Sequence, residues 1–428
     1  MSHDLPPYRV RDHQITVPVD HRDPARFGSI QVFARELVDP ARDGDDLPLL
    51  LFLQGGPGGA SPRPLGGGWW STALRTHRVV LLDQRGTGRS SRIDGRTVAG
   101  MTDATAADYL ACFRADAIVE DAELLRHQIY GGRRWSTLGQ SYGGFCTLTY
   151  LSRHPEALTA CYVTGGLPGI TATAEDVYAR TFTRQEARNR AFAARYPHDA
   201  QLIAELADRL AAGDVHLPGG DVFHVERLQT LGAGFGMSTG IDALHWALDT
   251  IDRDTDGVPS PAFLHWAQAQ TGYDANPLYM TLQEVIYHQG ARTGGWAAEQ
   301  ERDRRPAFHP TARPLTLTGE AVFRWMFRDI AALRPFQGAA ELLAARTEWP
   351  LLYDVDRLAA NEVPLAAAQY LDDPYVDIEL AQQTASSVGN AQVWATNEYL
   401  HDGLRAAGDV ILPRLMDLAA GRWTVTAP

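Results

Sequence analysis

Near the middle of the chain a serine stands between glycines at fixed spacing, Gly139-Gln140-Ser141-Tyr142-Gly143, with a further glycine at Gly144. A seryl hydroxyl becomes a nucleophile when a neighbouring base takes its proton and when its Oγ is presented on an exposed turn. Small residues on either side of the serine let a strand turn sharply into a helix, and the surroundings have that form. Trp135 to Leu138 reads as a short strand, and Phe145, Leu148, Tyr150 and Leu151 read as the apolar side of a helix. Acyl transfer from such a serine also needs N–H donors aimed at the developing oxyanion. The segment Gln54-Gly55-Gly56-Pro57-Gly58 follows the apolar run Pro48 to Leu53 and offers backbone that side chains do not obstruct. The N–H groups of Gly56 and Tyr142 are expected to form the oxyanion hole. A phosphate cradle is the other use of such a loop, but no Lys-Ser/Thr pair follows at the required spacing.

When a serine elbow of this kind ends a strand of a parallel sheet, its partners follow as an acid and then a histidine, each after a later strand. Of the fourteen histidines only His401 lies beyond His309. It stands just past the strand-like run Ala391 to Ala395, and it is expected to be the base. The orienting acid should follow the preceding strand, where Asp372 and Asp373 are adjacent. Asp373 is taken as the partner, leaving Asp372 to cap the following turn. Cys112, Cys146 and Cys161 are sparse and show no CxxC spacing, so neither a thiolate metal site nor a disulfide framework is expected. Cys146 is expected to be buried filler. No metal or organic cofactor is required by the chemistry.

The elements that must position these residues alternate. Ile15 to Val19 and Ile30 to Glu36 read as antiparallel edge strands, and Pro48 to Leu53, Arg78 to Leu82, Trp135 to Leu138 and Leu158 to Val163 as buried strands. Helical spacing recurs from Ala104 to Tyr130, as one long helix or two. Buried strands alternating with helices imply a parallel sheet with its chemistry at the carboxyl ends of the strands, and all three glycine-rich segments fall there. From about Leu167 to Pro350 strand-like runs become few, which reads as an inserted helical cap. The sheet resumes with Val363 to Tyr370 and Ala391 to Ala395, with helices at Ile378 to Ser387 and Leu404 to Leu418. The expected architecture is the α/β-hydrolase fold: a mostly parallel central sheet flanked by helices, with a core from residues 1–166 and 351–428 and a helical cap from residues 167–350.

Hydrophobic residues make up 45% and charged residues 21%, as in ordinary globular proteins. A net charge of -13 disfavours a nucleic-acid partner, whose phosphates would be repelled. No run approaches the roughly 18 apolar residues of a membrane span, so no membrane partner is expected. Met1 to Arg11 lacks the pattern of a signal peptide, and with so few cysteines a cytoplasmic location is expected. The mixed-charge run Glu299 to Arg305 reads as a solvated loop.

With these residues in place, the chain resembles the proline iminopeptidase (prolyl aminopeptidase) family of serine peptidases, particularly its longer members. The resemblance runs from Val17-Pro18-Val19-Asp20-His21 through Gly55-Gly56-Pro57-Gly58, Asp83-Gln84-Arg85-Gly86-Thr87-Gly88-Arg89-Ser90 and the serine elbow to the Asp373 and His401 segments. It implies an enzyme that releases an N-terminal residue, preferably proline, from small peptides with a free N-terminus through an acyl-enzyme on Ser141. Gln54 stands where shorter members carry histidine. Asp83 and Arg85 are expected to hold loops together by hydrogen bonds. The resemblance also offers cap carboxylates for the substrate amine, here Glu284 and Glu320, with Tyr287, Phe323 and Trp325 as walls for a pyrrolidine ring. A carboxylesterase or a broader aminopeptidase of the same fold is the alternative activity, and a noncatalytic binding module is the alternative class. Oligomeric state is not legible.

Overall fold

Five consecutive apolar residues, Leu49–Leu53, are too few for a buried helix, and in the computed structural model they form a fully buried strand at the centre of a sheet. The structure describes residues 2–5, 7–252, 256–292 and 295–423. Nine strands form the main sheet: β1 (Ser2–Leu5), β2 (Tyr8–Pro18), β3 (Ser29–Val38), β4 (Leu49–Leu53), β5 (Arg78–Asp83), β6 (Trp135–Gln140), β7 (Leu158–Thr164), β10 (Leu365–Tyr370) and β11 (Ala391–Thr396). The two-residue strands β8 (Gly290–Ala291) and β9 (Glu348–Trp349) pair separately. The main order is β1-β2-β3-β5-β4-β6-β7-β10-β11, antiparallel from β1 to β5 and parallel from β5 to β11. This is the α/β-hydrolase fold.

Period-two alternation divides the parallel strands between two apolar layers. Leu49, Leu51 and Leu53 of β4, with Val80 and Leu82 of β5, enter one core. Leu50 and Phe52, with Val79 and Leu81, enter the other, which is closed by the C-terminal helix Gly408–Ala419 through Ile411, Leu412 and Leu415. Register then brings the strand ends level. Leu53 lies opposite Gly139, Gln140 opposite Thr164, and Tyr370 opposite Thr396. The loops that follow β4, β6, β7, β10 and β11 therefore emerge side by side.

A third apolar core lies wholly within the inserted region, from Phe192 to Ala267 with Leu315 and Leu317. Leu278 to Phe308 and Ala321 to Tyr353 instead join the core beneath the sheet. The insertion thus consists of a lobe with its own interior and of segments fused to the main body. The helical stretch after Ala104, expected as one helix or two, is two: Asp103–Ala111 and Ala115–Tyr130, the second ended by Gly131 at φ 61°. Two sequence-based expectations need correction. The final helix is broken into Gly403–Ala406 and Gly408–Ala419. The charged run expected as a loop is mostly helix, Ala297–Asp303, because Ala297, Ala298 and Glu301 are buried, and Glu301 holds Arg305 Nε at 2.6 Å.

Two buried charges tie the loops beneath the site. The Asp83 carboxylate accepts from Ser61 N (3.1 Å), Arg89 N (2.8 Å) and the Arg63 guanidinium (2.6 and 2.8 Å). Arg85 is fully buried against Asp121, with Nε to Oδ2 at 2.7 Å, and also donates to the carbonyls of Val19 and Cys112 at 2.6 Å. Removing one partner of such a pair leaves an uncompensated buried charge. Asp121→Ala should therefore cost about 3–5 kcal/mol of stability, read as a lowered urea midpoint.

Candidate active site

Ser141 has φ 54° and ψ -124°, a backbone state that L-residues rarely adopt and that turns the chain abruptly from β6 into the helix Tyr142–Arg153. Backbone packs on backbone around it. A Cβ on Gly143 would lie 1.9 Å from Leu53 O, and one on Gly139 would lie 2.4 Å from Gly143 O. The glycines flanking Ser141 are thus demanded by close approach as well as by the turn. Ser141 N donates to Thr164 O at 3.1 Å. Tyr142 opens the helix, so its N–H has no intrahelical acceptor.

The glycine loop after β4 lies directly against this turn. A Cβ on Gly55 would be 2.9 Å from Ser141 Cβ and 2.7 Å from Gln140 Oε1. Gly56 follows at φ 134°, where a side chain would meet Gly59 N at 2.8 Å. The loop is held from above by the inserted region, since Gly58 packs on Asn276 and Leu278.

His401 and Asp373 meet through Nδ1 and Oδ2 at 2.7 Å, and both are buried. The other carboxylate oxygen of Asp373 accepts from the N–H groups of Tyr375 (2.8 Å) and Val376 (3.2 Å). Asp372 is exposed, so of the two adjacent carboxylates Asp373 is the one that faces His401. His401 N donates to Gly236 O at 3.0 Å, and the Tyr375 ring meets the imidazole edge-on at 4.7 Å. Gly165 and Gly166 separate the histidine from the serine. A Cβ on Gly165 would be 3.3 Å from His401 Nδ1, and one on Gly166 would be 2.4 Å from Ser141 O. Burial pulls the His401 pKa down, but the charge and hydrogen bond of Asp373 outweigh it, leaving the imidazole above the ordinary histidine value.

Glu320 lies within electrostatic reach of this pair. It is half-buried, accepts a hydrogen bond from the Tyr279 hydroxyl, and shares electrostatic interactions with His401 and Asp373. Burial raises its pKa, opposed by the bond from Tyr279 and the charge of His401. Tyr279 packs against Tyr273, with ring centroids 6.1 Å apart. Tyr287 joins the elbow helix through Phe145 (5.8 Å) and meets Tyr178 (6.1 Å).

Ser141, Tyr142, the Gly56 loop, Asp373, His401, Glu320 and Tyr287 are thus gathered at one end of the sheet. The remaining candidates have other contacts. Glu284 Oε2 accepts from Ala297 N at 2.7 Å, while Oε1 has no hydrogen-bond partner among the described residues. Its carboxylate lines a small enclosed space with Met280, Trp296, Val322 and Phe327. Glu284 and Glu320 still share Tyr178 and Tyr287 as electrostatic neighbours. Phe323 and Trp325 stack on each other at 6.4 Å, with Arg302 over the first and His224 against the second. Tyr279 and Tyr273 were not singled out from the sequence; their only sequence signal is the cluster Tyr273, Asn276, Pro277, Tyr279 just ahead of Glu284. Among the described residues no His/Cys/Asp/Glu cluster could hold a metal ion, and no helix is long and apolar enough to cross a membrane. Cys146 is fully buried, and burial raises its thiol far above the ordinary value.

Burial lifts the Glu284 pKa to about 7 against an ordinary 4.5. The folded state therefore keeps a proton that the unfolded chain releases, so this group's effect on stability worsens as pH rises from about 4.5 to about 7 and is constant above. Glu284→Gln keeps an acceptor for Ala297 N and cannot ionise. Its melting temperature should gain on wild type across that interval, measured by calorimetry at several pH values.

A family model described as the alpha/beta hydrolase fold matches residues 48–213. The proline iminopeptidase of Aeromonas sobria is 44% identical over 408 residues, covering 95% of each chain. Proline iminopeptidase aneH of Aspergillus aculeatus is 34% identical over 437 residues, covering 98% of this chain and 96% of its own. Among solved structures, a proline iminopeptidase of Mycobacterium smegmatis aligns at a TM-score of 0.44 with 14% identity, covering 96% of this chain and all of its own (100%).

Proposed function

Because the chain belongs to the proline iminopeptidase family, we propose that it is a serine aminopeptidase that removes N-terminal proline from peptides, with Ser141, His401 and Asp373 as its catalytic triad. The peptide enters the cleft beneath the helical cap, residues 167–350, amino terminus first. His401 Nε2 takes the Ser141 proton as Oγ attacks the prolyl carbonyl carbon. Asp373 holds the imidazole through Nδ1 and stabilises its positive charge. The N–H groups of Gly56 and Tyr142 receive the oxyanion. The tetrahedral intermediate collapses when His401 protonates the departing amine, leaving a prolyl ester on Ser141. Water, deprotonated by His401, attacks that ester and releases proline.

The observation that supports the exopeptidase reading is Glu320, a half-buried carboxylate bonded by Tyr279 and within electrostatic reach of His401 and Asp373. A prolyl N-terminus is a secondary ammonium at neutral pH, and an enclosed site must pair that charge. Arrival of the cation also relieves the cost that burial imposes on ionised Glu320. Tyr279, Tyr273 and Tyr287 give the pyrrolidine ring an apolar surround.

Proline β-naphthylamide should be cleaved, and its N-acetylated form should not. Glu320→Gln should lower kcat/KM for the free prolyl substrate by roughly 100-fold, in line with loss of one partner of a desolvated charge pair. Because turnover needs neutral His401, kcat/KM should fall as pH drops through a value above the ordinary 6.5 of histidine. Equal cleavage of free and acetylated substrates would replace this reading with a general esterase or amidase.

A further inference from the structure

A cavity of about 400 Å³ opens beside the catalytic loops, on the face of the sheet opposite the elbow helix. One wall is made by Asp402, Leu404 and Arg405, which immediately follow His401. The other is made by Gln54 and Gln140, which immediately precede the glycine loop and Ser141. Phe52, Trp69 and Trp70 form an aromatic floor, with Phe52 and Trp69 ring centroids 4.6 Å apart. The inserted region contributes Met237.

We propose that this cavity receives the part of the peptide that leaves, the residues on the carboxyl side of the scissile bond. The inference rests on the aminopeptidase reading above and deepens it. Its first support is direction. The amine that departs must be protonated by His401, so the chain attached to it starts next to that imidazole. The ammonium end of the substrate is committed to the cap side at Glu320. The departing chain must run away from Glu320, and the cavity begins at residue 402.

The second support is chemistry. Gln54 and Gln140 are partly exposed, and among the described residues neither side-chain amide has a hydrogen-bond partner. Gln140 Oε1 nonetheless sits within reach of Ser141, since both flank Gly55 at less than 3 Å from its Cβ position. Free amides beside a nucleophile suit the N–H and C=O groups of a bound peptide backbone. Trp70, partly exposed over the buried Trp69, supplies apolar area for the side chain of the first released residue. The volume lies within the range of about 300–1,000 Å³ usual for ligand sites. Arg405 stands exposed at the rim, paired with Asp402 at 2.9 Å. Asp402 also accepts from Ser238 N and Oγ at 2.9 Å, so Arg405 has donors to spare for a substrate's terminal carboxylate. The enzyme would accordingly favour short prolyl peptides with a bulky apolar second residue and a free carboxylate.

The test compares prolinamide, Pro-Gly, Pro-Phe and Pro-Phe-amide as substrates of wild type, Trp70→Ala and Arg405→Gln. Wild type should prefer Pro-Phe to Pro-Gly. In Trp70→Ala the ratio of kcat/KM for Pro-Phe over prolinamide should fall about tenfold, as expected for loss of an aromatic anchor. In Arg405→Gln, a substitution at an exposed site that leaves the interior untouched, Pro-Phe should lose its advantage over Pro-Phe-amide. Unchanged ratios, or equal losses on every substrate, would overturn the proposal. If wild type cleaved no prolyl substrate at all, the aminopeptidase reading itself would fall first.

Discussion

Sealing an ionised carboxylate from water is costly unless it is partnered, and Asp373 meets that need through the buried His401 imidazole at 2.7 Å. Much of the structure exists to make this contact. Each partner comes from a loop at the end of its own strand, and the parallel register of β10 with β11 sets Tyr370 opposite Thr396 so that those loops meet. The remaining acceptor capacity of Asp373 is filled by two backbone N–H groups, which fixes its orientation. Gly236 of the inserted region and Tyr375 of the Asp373 loop hold the histidine in place. The imidazole therefore gains basicity from Asp373 while its ring has little freedom to turn.

The inserted region is coupled to the same pair by three routes. Gly236 accepts the His401 N–H, Ser238 donates to Asp402, and Asn276 to Tyr279 pack on the glycine loop. It also brings a third charge, Glu320, into electrostatic contact with His401 and Asp373. Glu320 has no ion-pair partner among the described residues, which leaves it to take up one more positive charge. In the proposed mechanism the substrate's ammonium supplies it, so binding of the correct peptide completes the electrostatics of the site. A blocked N-terminus would leave Glu320 unpaired.

How much of this could be read from residues alone varied with physical cause. The serine elbow was legible because close backbone contact at Gly139 and Gly143 admits no side chain, and such contact leaves glycines at fixed offsets. The strands were legible because burial on both faces leaves unbroken apolar runs, as in Leu49–Leu53. Chain order singled out His401, and the structure sets it against Asp373. Asp373 and Asp372 differ by one position, and only burial separates them. Glu284 and Glu320 look alike in sequence, yet one accepts from the N–H that starts a short helix while the other lies within electrostatic reach of Asp373 and His401. Tyr273 and Tyr279 carried no distinguishing pattern, since aromatic residues at helical spacing usually fill a core. The helix at 297–303 was hidden because its charged residues suggested solvent, whereas Glu301 is held inward by Arg305.

The claim on which the rest stands is that Ser141 is activated by His401. It is tested most directly by treating the protein with a fluorophosphonate probe and locating the adduct by peptide mass spectrometry. The account predicts a single adduct on Ser141, formed rapidly in wild type and slowed by at least about 1,000-fold in His401→Ala. An adduct on another residue, or labelling of Ser141 at the same rate without His401, would contradict it.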